Sequence, residues 1–207
     1  MNVRMKALRV FLLATALSLS ACASAPGIPD TVYFRLPPRA ATSPLPEPVL
    51  PHPIVVSTLL ADGLHSDQAI IYSLDPEGAR LKAYHYQLWV DPPVRMLQRR
   101  MIGALRDARV SEIVADRLPN QVEALRVEGR IERFERVRTA TGWNVAVTLW
   151  LRADLRNGKP PLVLREYAQE LPAKGNSVRD SVNAIGTALD RIYADFVRDL
   201  AAAGQRG

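Results

Sequence analysis

The amino-acid sequence predicts an α+β domain: a single layered unit with a largely antiparallel sheet packed by two main helices, preceded by a signal peptide and a Pro-rich tether. Three observations predict it. Period-two alternation dominates the second half of the chain, two stretches of three- and four-residue apolar spacing follow strand-like runs, and a proline-rich leader suits neither element. With 207 residues the chain is long enough for one proper core, and no internal repeat is evident.

Met1 to Arg9 carries Arg4, Lys6 and Arg9 without an acidic residue, and Val10 to Leu19 is almost wholly apolar. This is the layout of a secretory signal, and the run is too short for a bilayer-crossing helix, which needs about 20 apolar residues. Leu19, Ser20, Ala21 and Cys22 then resemble the lipobox of bacterial lipoproteins: an apolar residue, two small ones and a cysteine. The resemblance implies that residues 1–21 are a lipoprotein signal peptide, cut before Cys22. It also implies that Cys22 is the lipid attachment residue, carrying diacylglycerol on sulfur and an N-acyl chain. Ala23, in a position where Asp would signal retention at the inner membrane, implies the outer membrane, periplasmic face. Several acyl chains on one residue suffice for stable anchoring, at about 0.8 kcal/mol per buried methylene.

Cys22 is the single cysteine, so no disulfide forms within the chain and stability must come from apolar burial. The net charge is +6, about half of it from Arg4, Lys6 and Arg9, which is too small a surplus to argue for nucleic acid. Arginines of the body are interleaved with acids, as in Glu128 to Arg138, which reads as a solvated face.

Residues 26–53 hold nine of the sixteen prolines. Residues 22–30 read as the lipidated tether, whose eight residues from Ala23 to Asp30 reach roughly 25 Å in a polyproline-like state. Residues 31–207 read as the domain. In it, Thr31 to Leu36 is a short strand, 39–53 a Pro-rich loop skirting the domain, and Pro53 to Leu60 and Gln68 to Leu74 are strands. Leu81 to Val90 is a third, with Tyr84, Tyr86 and Leu88 on one face and His85 and Trp89 on the other, so it is either central or covered by a partner. A helix follows, with Asp91 as N-cap and prolines in its entry turn; Val94, Leu97, Met101, Ala104, Leu105 and Ala108 form its apolar stripe.

Val110 to Val114 is a short strand. Leu125, Val127, Gly129 and Ile131 alternate in the next, and Trp143 to Leu155 puts Val145, Val147, Leu149 and Leu151 on one face and Thr148, Trp150 and Arg152 on the other. With Pro161 to Leu171, reached through the turn at 156–160, these make a meander. A final helix starts at Ser177, with Asp180 completing a capping box, and carries Val182, Ile185, Leu189, Ile192, Phe196 and Leu200 inward.

Catalytic patterns are not found. His52, His65 and His85 have no second ligand at metal spacing, and there is no nucleophile elbow, phosphate loop or dinucleotide fingerprint. Glu132 with Glu135, and Asp62 with Asp67, are spacings that 21 acidic residues produce by chance. No catalytic residue and no metal is therefore assigned, no cofactor beyond the acyl groups of Cys22 is expected, and the chain is read as not an enzyme.

The segment Tyr84 to Gln98 stands out. Its aromatic strand, Trp89, Asp91-Pro92-Pro93 and amphipathic helix resemble the central signature of the ABC-type transport auxiliary lipoproteins, the family that includes paraquat-inducible lipoprotein C. Tyr33 to Leu36, Ile70 to Leu74 with Tyr72, and the long terminal helix occur in that family's order, while the loop at 39–53 departs from it. The resemblance implies a non-catalytic accessory of an inner-membrane ABC transporter and a periplasmic MCE-domain protein, moving phospholipid or other hydrophobic compounds. An envelope structural or assembly lipoprotein is the alternative, and a dispersed-site hydrolase a third reading. Trp89, Asp91, Pro92, Pro93, Trp150 and Tyr167 are the candidate partner-interface residues. For Trp89 and the two prolines, strand end and helix entry is an equal reading. For Trp150 and Tyr167 a partner patch, self-association into a ring and cover by the terminal helix all stand open.

Overall fold

The computed structural model describes Gly27 and residues 29–119, 121–155 and 157–205. Leu19, Ser20, Ala21 and Cys22 lie outside the described residues, as does most of the tether. The chain divides into Met1–Asp30 and Thr31–Gly207, and the second unit holds every strand and helix assigned among the described residues.

Its elements are β1 (Val32–Phe34), β2 (Ile54–Val56), β3 (Leu60–Ala61), β4 (Ala69–Ser73), β5 (Leu81–Trp89), α1 (Pro93–Asp107), β6 (Val114–Ala115), β7 (Leu125–Thr139), β8 (Gly142–Asp154), β9 (Val163–Pro172) and α2 (Val178–Gly204). The α+β class and the two helices are as the sequence predicts. The long strands β7, β8 and β9 form the antiparallel meander, and β4 pairs antiparallel with β5. The sheet is nevertheless mixed, because short parallel strands complete it.

β7 is the spine. One edge carries β8 along almost its whole length; the other is shared in succession by β2 at Leu125–Val127, β3 at Arg130–Ile131 and β4 at Glu135–Val137. β6 extends the sheet beyond β2, and β5 then β1 extend it beyond β4. Two- and three-residue strands give no usable periodicity, which is why sequence patterning finds runs there but not their parallel pairing.

Val145, Val147, Leu149, Leu151 and Ala153 face the core, as their alternation predicts, against Val182, Ile185, Leu189, Ile192 and Phe196 of α2. The predicted capping box is present: Asp180 N–H donates to Ser177 Oγ at 3.1 Å and Ser177 N–H to Asp180 Oδ2 at 3.2 Å.

One reading is corrected by β7. Glu135 and Arg136 are each 2 % exposed, although Glu128 to Arg138 reads as a solvated face. A bulge between Ile131 and Arg133 is the reason: Ile131 lies opposite Leu149 and Phe134 opposite Val147, so three residues of β7 span two of β8. The inward parity switches from odd to even, and Phe134 and Arg136 take inward positions.

The Pro-rich segment does more than skirt the domain. Leu45 N–H donates to Ala108 O, and Val49 and Leu50 N–H both donate to Val110 O, while Leu50 is buried. Further upstream, Pro37 lies against Gly186 of α2, where an added Cβ would sit 2.4 Å from the Pro37 ring. Arg100 of α1 ties this strap to both helices. Its Nη1 donates to Pro37 O at 2.7 Å and its Nε and Nη2 to Asp190 Oδ1 at 3.1 and 2.7 Å; Ala40 N–H donates to Asp190 Oδ2 at 2.9 Å. Ridges of α1 and α2 are thus joined through a charged centre that helical periodicity assigns to neither apolar stripe.

This packing has two measurable outcomes. Gly to Ala inside a helix normally gains up to about 1 kcal/mol, but the 2.4 Å approach makes the opposite sign the expectation for Gly186→Ala. Urea unfolding should show a lower midpoint, and limited proteolysis faster cleavage within 37–53. Asp190→Ala leaves the Arg100 guanidinium buried without its carboxylate and should cost about 3 kcal/mol in the same unfolding measurement.

Candidate functional site

β5 ends at a buried corner. Trp89 is 1 % exposed, its ring 5.4 Å from that of Phe134, and its N–H donates to Gln68 O at 2.6 Å. Gln68 Nε2 donates back to Val90 O at 3.1 Å, and Val90 N–H donates to Phe34 O at 3.0 Å. Asp91-Pro92-Pro93 then turns the chain into α1. Pro92 occupies the cap position and Pro93 is the first helical residue, where its missing N–H leaves no bond unmade. Asp91 is not the N-cap that the sequence suggests: its carboxylate accepts from Arg99 Nη2 at 2.5 Å, further along the helix. Trp89 and Pro93 are buried, so of the two readings open for them it is strand end and helix entry that their burial supports.

Beside this corner opens a cavity of about 520 Å³ between the β1–strap segment and α1. Arg35, Arg39, Arg99 and Arg100 line it, together with Leu36, Val90 and Met96. Arg39 pairs with Asp107 at 2.7 Å, Arg99 with Asp91 and Arg100 with Asp190. Arg35 is exposed and has no ion-pair partner among the described residues. Sequence reasoning missed this grouping because Arg35 and Arg39 lie far in sequence from Arg99 and Arg100. Only the docking of the strap brings them together.

Tyr167 and Trp150 do not form one patch. Tyr167 lies opposite Leu149 and is 4 % exposed, edge-on to Phe196 at 5.9 Å, with its hydroxyl donating to Asp199 Oδ2 at 2.6 Å. Burial, and next the Asp199 carboxylate, push this phenol well above its ordinary range. α2 therefore covers it, the outcome that parity forces, since Trp150 lies opposite Glu166 and faces away. Trp150 is part-buried on the outer face, with exposed Leu164 in the adjoining strand.

Two further polar groups sit where β7 switches parity. Arg136 stacks on Trp143 at 3.8 Å and donates to Tyr84 Oη at 3.1 Å and Asn176 O at 2.9 Å. Burial lowers its pKa from the ordinary value, Tyr84 opposing, and its Nε has no hydrogen-bond partner. Tyr72 closes the group against Tyr84, ring to ring at 4.4 Å. Glu135 on the other parity accepts from Arg133 Nε at 2.7 Å and from the Phe134 N–H at 2.7 Å, with His65 Nε2 at 3.3 Å. The wall of charge that composition suggested is here an internal ion cluster.

Burial alone would raise the Glu135 carboxyl; hydrogen bonds from His65, Arg133 and the Phe134 amide, with the Arg133 charge, outweigh it and hold the group below its ordinary value. A carboxyl with a lowered folded-state pKa contributes stability above its unfolded pKa, about 4.3, that is lost as the pH falls through the folded value. Urea midpoints between about pH 6 and 3 should therefore fall more steeply for the native chain than for Glu135→Gln.

The comparisons with known proteins agree with this architecture. Protein XCC0632 from Xanthomonas campestris superposes with a TM-score of 0.71 at 18 % identity, covering 84 % of this chain and 98 % of its own. An uncharacterized protein superposes at 0.64 and 13 % identity, covering 82 % and 98 %. Both likenesses show the fold. No curated protein matches in sequence. The family model described as the ABC-type transport auxiliary lipoprotein component matches residues 34–197, from the last residue of β1 to the inward face of α2. The chain accordingly belongs to the ABC-type transport auxiliary lipoprotein family.

Proposed function

We propose that this protein is an outer-membrane-anchored periplasmic lipoprotein, a non-catalytic accessory of an ABC transporter acting with an MCE-domain protein on phospholipid or other hydrophobic compounds. The family match over residues 34–197 carries the reading. The lipobox at Leu19 to Cys22 supports the anchor, and no helix among the described residues is long and apolar enough to cross a membrane. Attachment by acyl chains on Cys22, cut free of residues 1–21, then holds the domain at the surface.

The polar groups of the domain suit binding and docking better than chemistry. Glu135, Arg100 and Asp190 spend their hydrogen bonds on structure. Tyr167 and Tyr193 are phenols that burial, before any other cause, holds above their ordinary pKa, so neither is poised to exchange a proton near neutral pH. Trp150 and Leu164 on the outer face of the meander are the apolar surface offered to a partner or to a second copy, with Asp91 and Pro92 the accessible part of the β5–α1 corner. The alternative, an envelope assembly lipoprotein, uses the same surfaces with other machinery.

Two measurements test the reading. Cys22→Ala should abolish metabolic labelling with palmitate and block processing; a variant that still fractionates with outer-membrane vesicles overturns the anchor. Tagged native protein, cross-linked in cells and purified, should bring down a permease, an ATPase and an MCE-domain protein, and Trp150→Ala should weaken that recovery several-fold, as aromatic anchors at interfaces commonly contribute about 2 kcal/mol or more. Recovery of peptidoglycan or outer-membrane assembly proteins instead would favour the alternative.

A further inference from the structure

Four arginines, Arg35, Arg39, Arg99 and Arg100, line the strap–α1 cavity, and Asp91 is the one carboxylate residue among those that line it. Arg35 has no ion-pair partner among the described residues. Arg99 and Arg39 have partners, but the pairs are exposed, at 57 % against 41 % for Arg99 and Asp91 and at 34 % against 43 % for Arg39 and Asp107. Exposed single-bond pairs are weak, so Arg99 is free to change partner, whereas Arg39 donates through both Nε and Nη2 to Asp107 and lies against Gly103. Arg100 is different again: its side chain is 6 % exposed and fixed by Asp190 and Pro37 O, which makes it a rigid wall.

Leu36, Pro37, Pro38, Val90 and Met96 line the same space, Met96 buried and Leu36 and Val90 half-buried. Arginine forks match phosphate oxygens two at a time, and a guanidinium is less strongly hydrated than an ammonium, so such a rim selects a phosphate group. Apolar side chains beside these arginines suit an amphiphile. A volume of about 520 Å³ lies in the range of small-molecule sites and admits a headgroup with its glycerol and first methylenes, leaving the rest of the acyl chains outside.

We propose that the cavity bounded by Arg35, Arg39, Arg99 and Arg100 is a binding site for the phosphate headgroup of an anionic glycerophospholipid. Arg35 and Arg99 grip the phosphate oxygens, Arg100 backs them, and Leu36, Val90 and Met96 receive the glycerol end of the chains. The site deepens the transport reading by naming a ligand class and rests on that reading for the choice of a lipid source. Its first arginine stands thirteen residues after Cys22, an extended span of at most about 45 Å. A lipid-anchored protein therefore finds such headgroups within reach.

The test uses the full-length lipoprotein in non-ionic detergent, titrated calorimetrically with dihexanoylphosphatidylglycerol and, separately, with inorganic phosphate. Native protein and Arg198→Gln, which removes one exposed charge from the far part of α2, should bind the short-chain lipid saturably and alike. Arg35→Gln and the double variant Arg35→Gln with Arg99→Gln should bind progressively more weakly, the double by at least about tenfold, since charge-assisted hydrogen bonds to phosphate are the strong ones. Both arginines lie at the surface, so unchanged circular dichroism is expected of the variants. Undiminished binding by the double variant, or an equal loss in Arg198→Gln, overturns the site. Inorganic phosphate binding as tightly as the lipid overturns the amphiphile assignment. Failure to bind lipid while transporter partners still co-purify removes this site alone; loss of those partners with lipid binding intact removes the transport reading alone.

Discussion

The contact on which the rest of the structure depends is the pair between Arg100 and Asp190. It lies where α1, α2 and the strap meet, and each of the three supplies a group: the guanidinium from α1, the carboxylate from α2, and Pro37 O and Ala40 N–H from the strap. Taking both charges out of water is costly, and Coulomb attraction offsets that cost only if the remaining donors and acceptors are also satisfied. Here Arg100 donates four bonds, to Asp190, Pro37 O and Gly186 O, which leaves one guanidinium N–H spare, and both carboxylate oxygens of Asp190 are occupied. The consequence is directional. An apolar contact between two helices tolerates sliding, whereas this network is satisfied in a single register of helix, helix and strap. Tyr193, whose hydroxyl donates to Leu97 O at 3.1 Å, repeats the constraint one turn away.

The sheet obeys a second constraint, set by the bulge in β7. Before it, odd residues point to the helices; after it, even ones do, and the strand can place Phe134 beneath Trp89 without losing β8 as a partner. The same step carries Arg136 inward and Glu135 against His65 and Arg133. A buried guanidinium without a carboxylate in contact would be untenable in an aliphatic core. Trp143 and Tyr84 make it tenable, since a desolvated cation over aromatic faces gains about 2 kcal/mol. The aromatic end of β5 and the start of β8 are thus explained by one charge.

How much of this was legible depends on the range of each signal. The meander, both helices and the capping box were legible because long alternating or amphipathic runs report burial on one face, and Ser177 with Asp180 is a local motif. Parallel pairing of β2, β3 and β4 with β7 was not, because strands of two to five residues carry no register information. The outward face of Trp150 follows from the alternation of β8, but the inward face of Tyr167 depends on the offset of β8 against β9, which no pattern within β9 reports. Asp91 looked like a cap because Asp precedes a helix, but two prolines after it place Pro92 at the cap position and leave its carboxylate to Arg99. The arginine cavity was invisible for a related reason: its walls come from segments some sixty residues apart in the chain.

The arginines of that cavity differ in exposure, and the difference bears on what it can do. Arg100 cannot turn toward a ligand without abandoning Asp190, Gly186 O and Pro37 O, so it offers a fixed field and at most its spare N–H. Arg35 and Arg99 are exposed, and Arg99 has only a solvent-exposed carboxylate to give up. A preorganised back wall with adjustable front donors accepts a phosphate cheaply, because the costly desolvation of Arg100 has already been met by folding. The clamp that holds the strap therefore also shapes the site beside it.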